Sequence, residues 1–228
     1  MKAPIAVALD APDVETAAKW AHDVERYVST VKVGLELFCR HGPSVVDVVR
    51  GGTDVDLFLD LKLHDIPATV AGAARSVARL HPAYLTVHAS GGAEMVRAAT
   101  EAAPDVCIAA VTILTSIDDA GLRALGVQAT ASDAVLRLSR IAVEAGARAV
   151  VCSPQEVAAV RREVGEGITL ITPGVRPLGV SVDDQARFAT PEQAIADGAD
   201  LLVIGRPITG ASDPGAAAAA IAASLAPA

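Results

Sequence analysis

Short β-branched apolar runs alternate along the chain with longer segments of helical periodicity. The runs at Ile5–Leu9, Val31–Val33, Leu57–Leu61, Tyr84–His88, Cys107–Val111, Ala149–Cys152, Thr169–Ile171 and Leu201–Ile204 read as eight strands. Each is followed by a segment with helical character. The first shows the logic: Asp13 can cap the N-terminus, and Val14, Ala17, Ala18, Ala21 and Val24 form an apolar stripe. Further helices are expected over Ala68–Leu80, Ala93–Ala102, Ser132–Ala145 and Pro154–Val164. Strict βα alternation implies a parallel sheet with right-handed crossovers, because such strands can be joined only by returning over a covering layer.

Eight units favour a closed barrel over an open doubly wound sheet. The open form also lacks its glycine fingerprint, since the first strand runs into Leu9-Asp10-Ala11-Pro12. No linker or composition shift interrupts the rhythm. The expectation is an α/β fold, a single-domain (β/α)8 TIM barrel over residues 1–228.

Composition adjusts this picture only slightly. Apolar residues make up 52% of the chain and aromatics 3%, so the core must be built from Val, Ile, Leu and Ala. The net charge of -8, with no basic run, argues against nucleic acid as a partner. It leaves room for a small anionic ligand held by a few local cations. The three cysteines, Cys39, Cys107 and Cys152, are widely spaced and form no C-x-x-C pair, which suits a reduced, cytoplasmic setting. No signal peptide is evident, and the alanine-rich tail Ala216–Ala226 is short of the ~20 residues a membrane span needs. No His/Cys/Asp spacing suggests a zinc site.

In barrels of this kind the chemistry gathers where the strands end. Four strands end in unexpected polar residues: Asp10, Lys32, the pair Asp60 and Lys62, and His88. Residues two apart on a strand face the same way, so Asp60 and Lys62 should share a face while Leu59 and Leu61 take the other. Burying such charges costs several kcal/mol per ion unless they pair well. A simple structural ion pair would account for two of them, but not for Lys32 and Asp10 beside them. Lysine is also rare, at positions 2, 19, 32 and 62 only, against fifteen arginines. Two of the four stand at strand ends, where a compact ammonium able to give up a proton differs most from a guanidinium. His88 could touch a ligand or be a hydrogen-bonded structural histidine.

The run Asp60-Leu61-Lys62-Leu63-His64-Asp65-Ile66-Pro67-Ala68-Thr69 resembles the D-x-K-x-x-D signature of the orotidine 5'-monophosphate decarboxylase family. Val7-Ala8-Leu9-Asp10, Lys32-Val33-Gly34, Val87-His88-Ala89-Ser90-Gly91-Gly92, Val111-Thr112-Ile113-Leu114-Thr115-Ser116, Thr172-Pro173-Gly174-Val175-Arg176-Pro177 and Val203-Ile204-Gly205-Arg206-Pro207 also fit, in family order. One departure is Ala68, where the family usually has Asn.

The resemblance implies decarboxylation of orotidine 5'-monophosphate to uridine 5'-monophosphate, with a small-molecule nucleotide substrate and no cofactor. It implies Lys62 beside a ring carbanion as its proton donor, Asp60 and Asp65 flanking it, and Lys32 holding the network and a ribose hydroxyl. Asp10 would bind the ribose, Thr115 and Ser116 the pyrimidine, and Gly205 with Arg206 the phosphate. The long Pro173–Thr190 connection would close over the nucleotide, with Gln185 bridging base and phosphate and Arg176 near the phosphate. A homodimer is implied, in which Asp65 and Thr69 reach the partner's site. The rivals are sugar-phosphate enzymes of the same suprafamily, which hold Mg2+ on the acidic cluster, and a catalytically silent barrel that binds a phosphorylated ligand.

Overall fold

The computed structural model describes residues 2–177 and 189–226. Eight parallel strands close in sequence order into a barrel: β1 (Ala3–Ala8), β2 (Val28–Gly34), β3 (Asp56–Leu63), β4 (Tyr84–His88), β5 (Cys107–Val111), β6 (Ala149–Val151), β7 (Thr169–Thr172) and β8 (Leu201–Ile204). The covering helices are α1 (Val14–Val24), α2 (Leu35–His41), α3 (Ser44–Arg50), α4 (Pro67–Ala78), α5 (Gly92–Ala102), α6 (Asp119–Ala124), α7 (Ala131–Glu144), α8 (Val157–Val164), α9 (Pro191–Ala196), α10 (Arg206–Thr209) and α11 (Pro214–Ser224). The alternation read from the sequence therefore holds, with three strands bounded as expected and the ends of the others moved by at most three residues. The connection after β2 carries two short helices, split where Gly42 adopts a φ of 66° before Pro43. Helix α8 begins at Val157 rather than Pro154.

Local chemistry sets the helix starts. The Asp13 carboxylate accepts a hydrogen bond from the Thr16 amide at 2.7 Å, as its position ahead of the apolar stripe requires. Thr130 caps α7 reciprocally: its Oγ1 accepts from the Asp133 amide at 3.1 Å and donates to Asp133 Oδ2 at 2.8 Å. Pro67 opens α4 at a position where a missing N–H costs nothing.

Strand alternation sorts the core into two layers. Ile5, Val7, Leu9, Val31, Val33, Leu57, Leu59, Leu61, Leu85 and Val87 pack outward into the main core cluster with the helices. Ala6, Phe58, Ala109, Ala149, Ile171 and Leu201 form a separate cluster inside the barrel. Phe58 fills it, meeting Tyr84 edge-on with centroids 5.7 Å apart. By the same parity, Asp60 and Lys62 on β3, Lys32 on β2 and Thr86 on β4 belong to the interior face, above Phe58. The hydrophobic layers thus exclude water below a polar floor at the carboxyl ends of the strands. Among the described residues, no helix is long and apolar enough to cross a membrane.

Candidate active site

Three strands bring four charges together. Lys62 Nζ lies 2.8 Å from Asp60 Oδ1, Lys32 Nζ lies 3.2 Å from Asp60 Oδ2, and Lys32 Nζ stands 3.8 Å from Asp10 Oδ1. Asp60 therefore gives one oxygen to each ammonium. Lys32 is buried, and Asp10, beyond the end of β1, is half-exposed with its carboxylate turned toward it. Burial alone would push Asp60 up. Lys32 and then Lys62 oppose this, helped by hydrogen bonds from Lys62 and Thr86, and the carboxyl ends below its ordinary value of 3.8.

Two further residues shape this cluster: Gly34, quoted above only as part of a motif, and Thr86, which gave no sequence signal. Gly34 ends β2 where an added Cβ would stand 2.7 Å from Asp10 Oδ1 and 3.2 Å from Lys32 Nζ, so only a bare backbone leaves room for that pair. Thr86 is wholly buried; its Oγ1 donates to Asp60 Oδ1 at 3.0 Å and accepts from the Lys62 amide at 2.8 Å. Threonine is ordinary in strands, so only its parity with His88 could have marked it. The Lys62 backbone is also unexpected, with a φ of 49°.

The cluster opens into a cavity of about 200 Å³ lined by Phe58, Asp60, Lys62, Val111, Thr115, Cys152, Ser153 and Pro173, among others. Thr115 thus lines the same cavity as Lys62. Burial pushes the Cys152 thiol up to about 12, so this neighbour is an inert wall rather than a nucleophile. His88 is half-buried, and its ring lies 5.4 Å from that of His64. Burial, with His64 and Lys62 nearby, lowers its pKa against the opposing pull of Asp60.

The other described candidates, Asp65, Thr69, Arg176, Gly205 and Arg206, do not line this cavity. Asp65 and Thr69 are exposed around the start of α4, next to Ile66, which is 66% exposed. Asp65 Oδ1 accepts from the Ile66 amide at 2.6 Å, and among the described residues Asp65 makes no ion pair with Lys62. Gly205 caps α10, which begins at Arg206, and Arg206 is exposed. Arg176 is buried, with its amide bonded to the Ala189 carbonyl at 3.0 Å next to a Val175–Ala189 bridge. That pairing ties together the two bases of the long connection. Gln185 lies outside the described residues.

Two ammoniums on Asp60 make it a poor seat for a divalent cation. Among the described residues, no group of three His, Cys, Asp or Glu side chains could hold a metal ion.

The family model described as "Orotidine 5'-phosphate decarboxylase / HUMPS family" matches residues 3–221. An orotidine 5'-phosphate decarboxylase of Thermobifida fusca is 72% identical over 225 residues, covering 99% of this chain and 97% of that protein. One of Frankia casuarinae is 58% identical, covering 98% of this chain and 88% of its own length. The crystal structure of orotidine 5'-phosphate decarboxylase from Lactobacillus acidophilus superimposes with a TM-score of 0.86 at 37% identity, covering 98% of this chain and 99% of that one.

Proposed function

The chain belongs to the orotidine 5'-phosphate decarboxylase / HUMPS family, and from that membership we propose that it converts orotidine 5'-monophosphate to uridine 5'-monophosphate and carbon dioxide in pyrimidine biosynthesis. It is a carboxy-lyase. The observation that carries the reading is the Lys62 ammonium held 2.8 Å from Asp60, both lining the cavity.

The chemistry follows from that placement. Breaking the bond to the carboxylate leaves its electron pair on the ring carbon and releases carbon dioxide. The developing negative charge needs a preorganised cation, because reorienting solvent at that moment would raise the barrier. Lys62 supplies the charge and then the proton, which moves from Nζ to the ring carbon. Asp60, itself fixed by Lys32, holds the ammonium in line, and Asp10 and Lys32 are suited to the ribose hydroxyls. Thr115 faces the pyrimidine, while Gly205, Arg206, Arg176 and Gln185 serve the phosphate end.

The active unit in this reading is a homodimer. The largely exposed stretch from Asp65 to Thr69, which includes the exposed Ile66, supports a subunit contact through which the partner subunit's Asp65 completes the site beside Lys62. A cytoplasmic setting, where three free thiols persist, fits the reading.

The test is a spectrophotometric assay with orotidine 5'-monophosphate, run with and without a chelator. Turnover that survives chelation is the expected result. Activity that depends on added Mg2+ would contradict it and favour the sugar-phosphate branch.

A further inference from the structure

The β3–β4 ladder breaks at the catalytic lysine. Between paired positions, β3 advances from Leu59 to Leu63 while β4 advances only from Leu85 to Val87. Lys62 lies in the surplus segment with its φ of 49°. A left-handed conformation costs a non-glycine residue about 1–2 kcal/mol, and it persists only where the surroundings over-determine it. At this break the Lys62 amide meets the hydroxyl of Thr86, 2.8 Å away. That hydroxyl spends its one proton on Asp60 Oδ1, at 3.0 Å. One buried side chain therefore fixes the backbone of Lys62 and the carboxylate that orients the Lys62 ammonium.

We propose that Thr86 is a positioning residue for the decarboxylation, its hydroxyl locking the Lys62 backbone and the Asp60 carboxylate into the single arrangement that aims the ammonium at the reacting carbon. The inference rests on the reading of Lys62 as proton donor. Valine has nearly the shape of threonine but can make neither bond. Without them the Lys62 amide loses its acceptor, Asp60 loses a donor, and the ammonium drifts. A misplacement of about 1 Å at a reacting group costs on the order of a hundredfold in rate. Ribose and phosphate contacts lie elsewhere, so the loss should fall on kcat rather than KM.

The experiment compares Thr86→Val and Thr86→Ser with the parent enzyme in steady-state decarboxylation, alongside calorimetric affinity for uridine 5'-monophosphate. Thr86→Val should lower kcat on the order of ten- to a hundredfold, with KM and product affinity changed less than about threefold. Thr86→Ser keeps the hydroxyl and should stay within about threefold of the parent in kcat. If Thr86→Val does not fold, Thr86→Cys, with its weak S–H donor, takes its place and should show a kcat deficit relative to Thr86→Ser. An active parent with an equally active Thr86→Val, an equal kcat loss in Thr86→Ser, or a loss confined to KM overturns the inference alone. An inactive parent overturns the underlying reading and this inference with it.

Discussion

Lys32 Nζ lies 3.2 Å from Asp60 Oδ2, on the side of the carboxylate opposite Lys62, so one anion separates two ammoniums. Asp60→Asn keeps the shape and removes the separation. Taking away one partner of a buried pair leaves the others uncompensated, at a cost of roughly 3 kcal/mol in stability. Turnover should fall at least on the order of a hundredfold, because the ammonium loses its anchor. Chemical denaturation and a steady-state assay on the same preparation check both effects.

Gly34→Ala tests the ribose end. Its Cβ would press on Asp10 Oδ1 at 2.7 Å and Lys32 Nζ at 3.2 Å. The backbone there needs no glycine, with a φ of -92°, so the melting temperature should change little. The half-exposed Asp10 carboxylate can swing away, which spares the fold but displaces the contact proposed for the ribose. We expect KM to rise about tenfold or more, a loss of around 1.4 kcal/mol in binding.

The pH dependence of stability has a definite sign at His88, whose folded pKa lies below the ordinary 6.5. Burial is the largest cause, followed by His64 and Lys62, with Asp60 opposing. As pH falls through 6.5 the unfolded chain binds a proton that the folded chain resists, so stability drops until folded His88 also protonates. His88→Asn removes that contribution. Denaturation midpoints at about pH 7.5 and about pH 5.5 should differ less in the variant than in the parent.

A shared site can be tested by mixing two inactive proteins, Lys62→Ala and Asp65→Ala. If the proposed dimer shares its sites, neither homodimer retains a complete one. A heterodimer retains one, with Lys62 from one chain and Asp65 from the other. Random re-assortment should restore roughly a quarter of parental turnover. No recovery, with mixed dimers demonstrated by mass, would mean that each chain uses its own Asp65.

The barrel was legible because β-branched runs and helical stripes alternate without interruption, and Asp60 with Lys62 stood out as charges where parity demands an interior face. Other features lay in three dimensions only. Thr86 is an unremarkable strand residue until its hydroxyl is seen between Asp60 and Lys62. The positive φ of Lys62 follows from a register break between β3 and β4, which no single run encodes. Asp65 reads as a flank of Lys62 along the chain, yet the turn into α4 directs it to the Ile66 amide. Arg176 looked like a loop cation, and the Val175–Ala189 bridge next to it goes with a buried side chain.

The most direct measurement is turnover of orotidine 5'-monophosphate by Lys62→Ala beside the parent protein, with circular dichroism and melting recorded for both. The ammonium opens toward the cavity and is partly exposed, so the truncation should leave the barrel folded. Turnover should fall by on the order of a thousandfold or more, since the charge that meets the carbanion and the proton that quenches it leave together. A folded Lys62→Ala that decarboxylates at the parental rate would contradict the account.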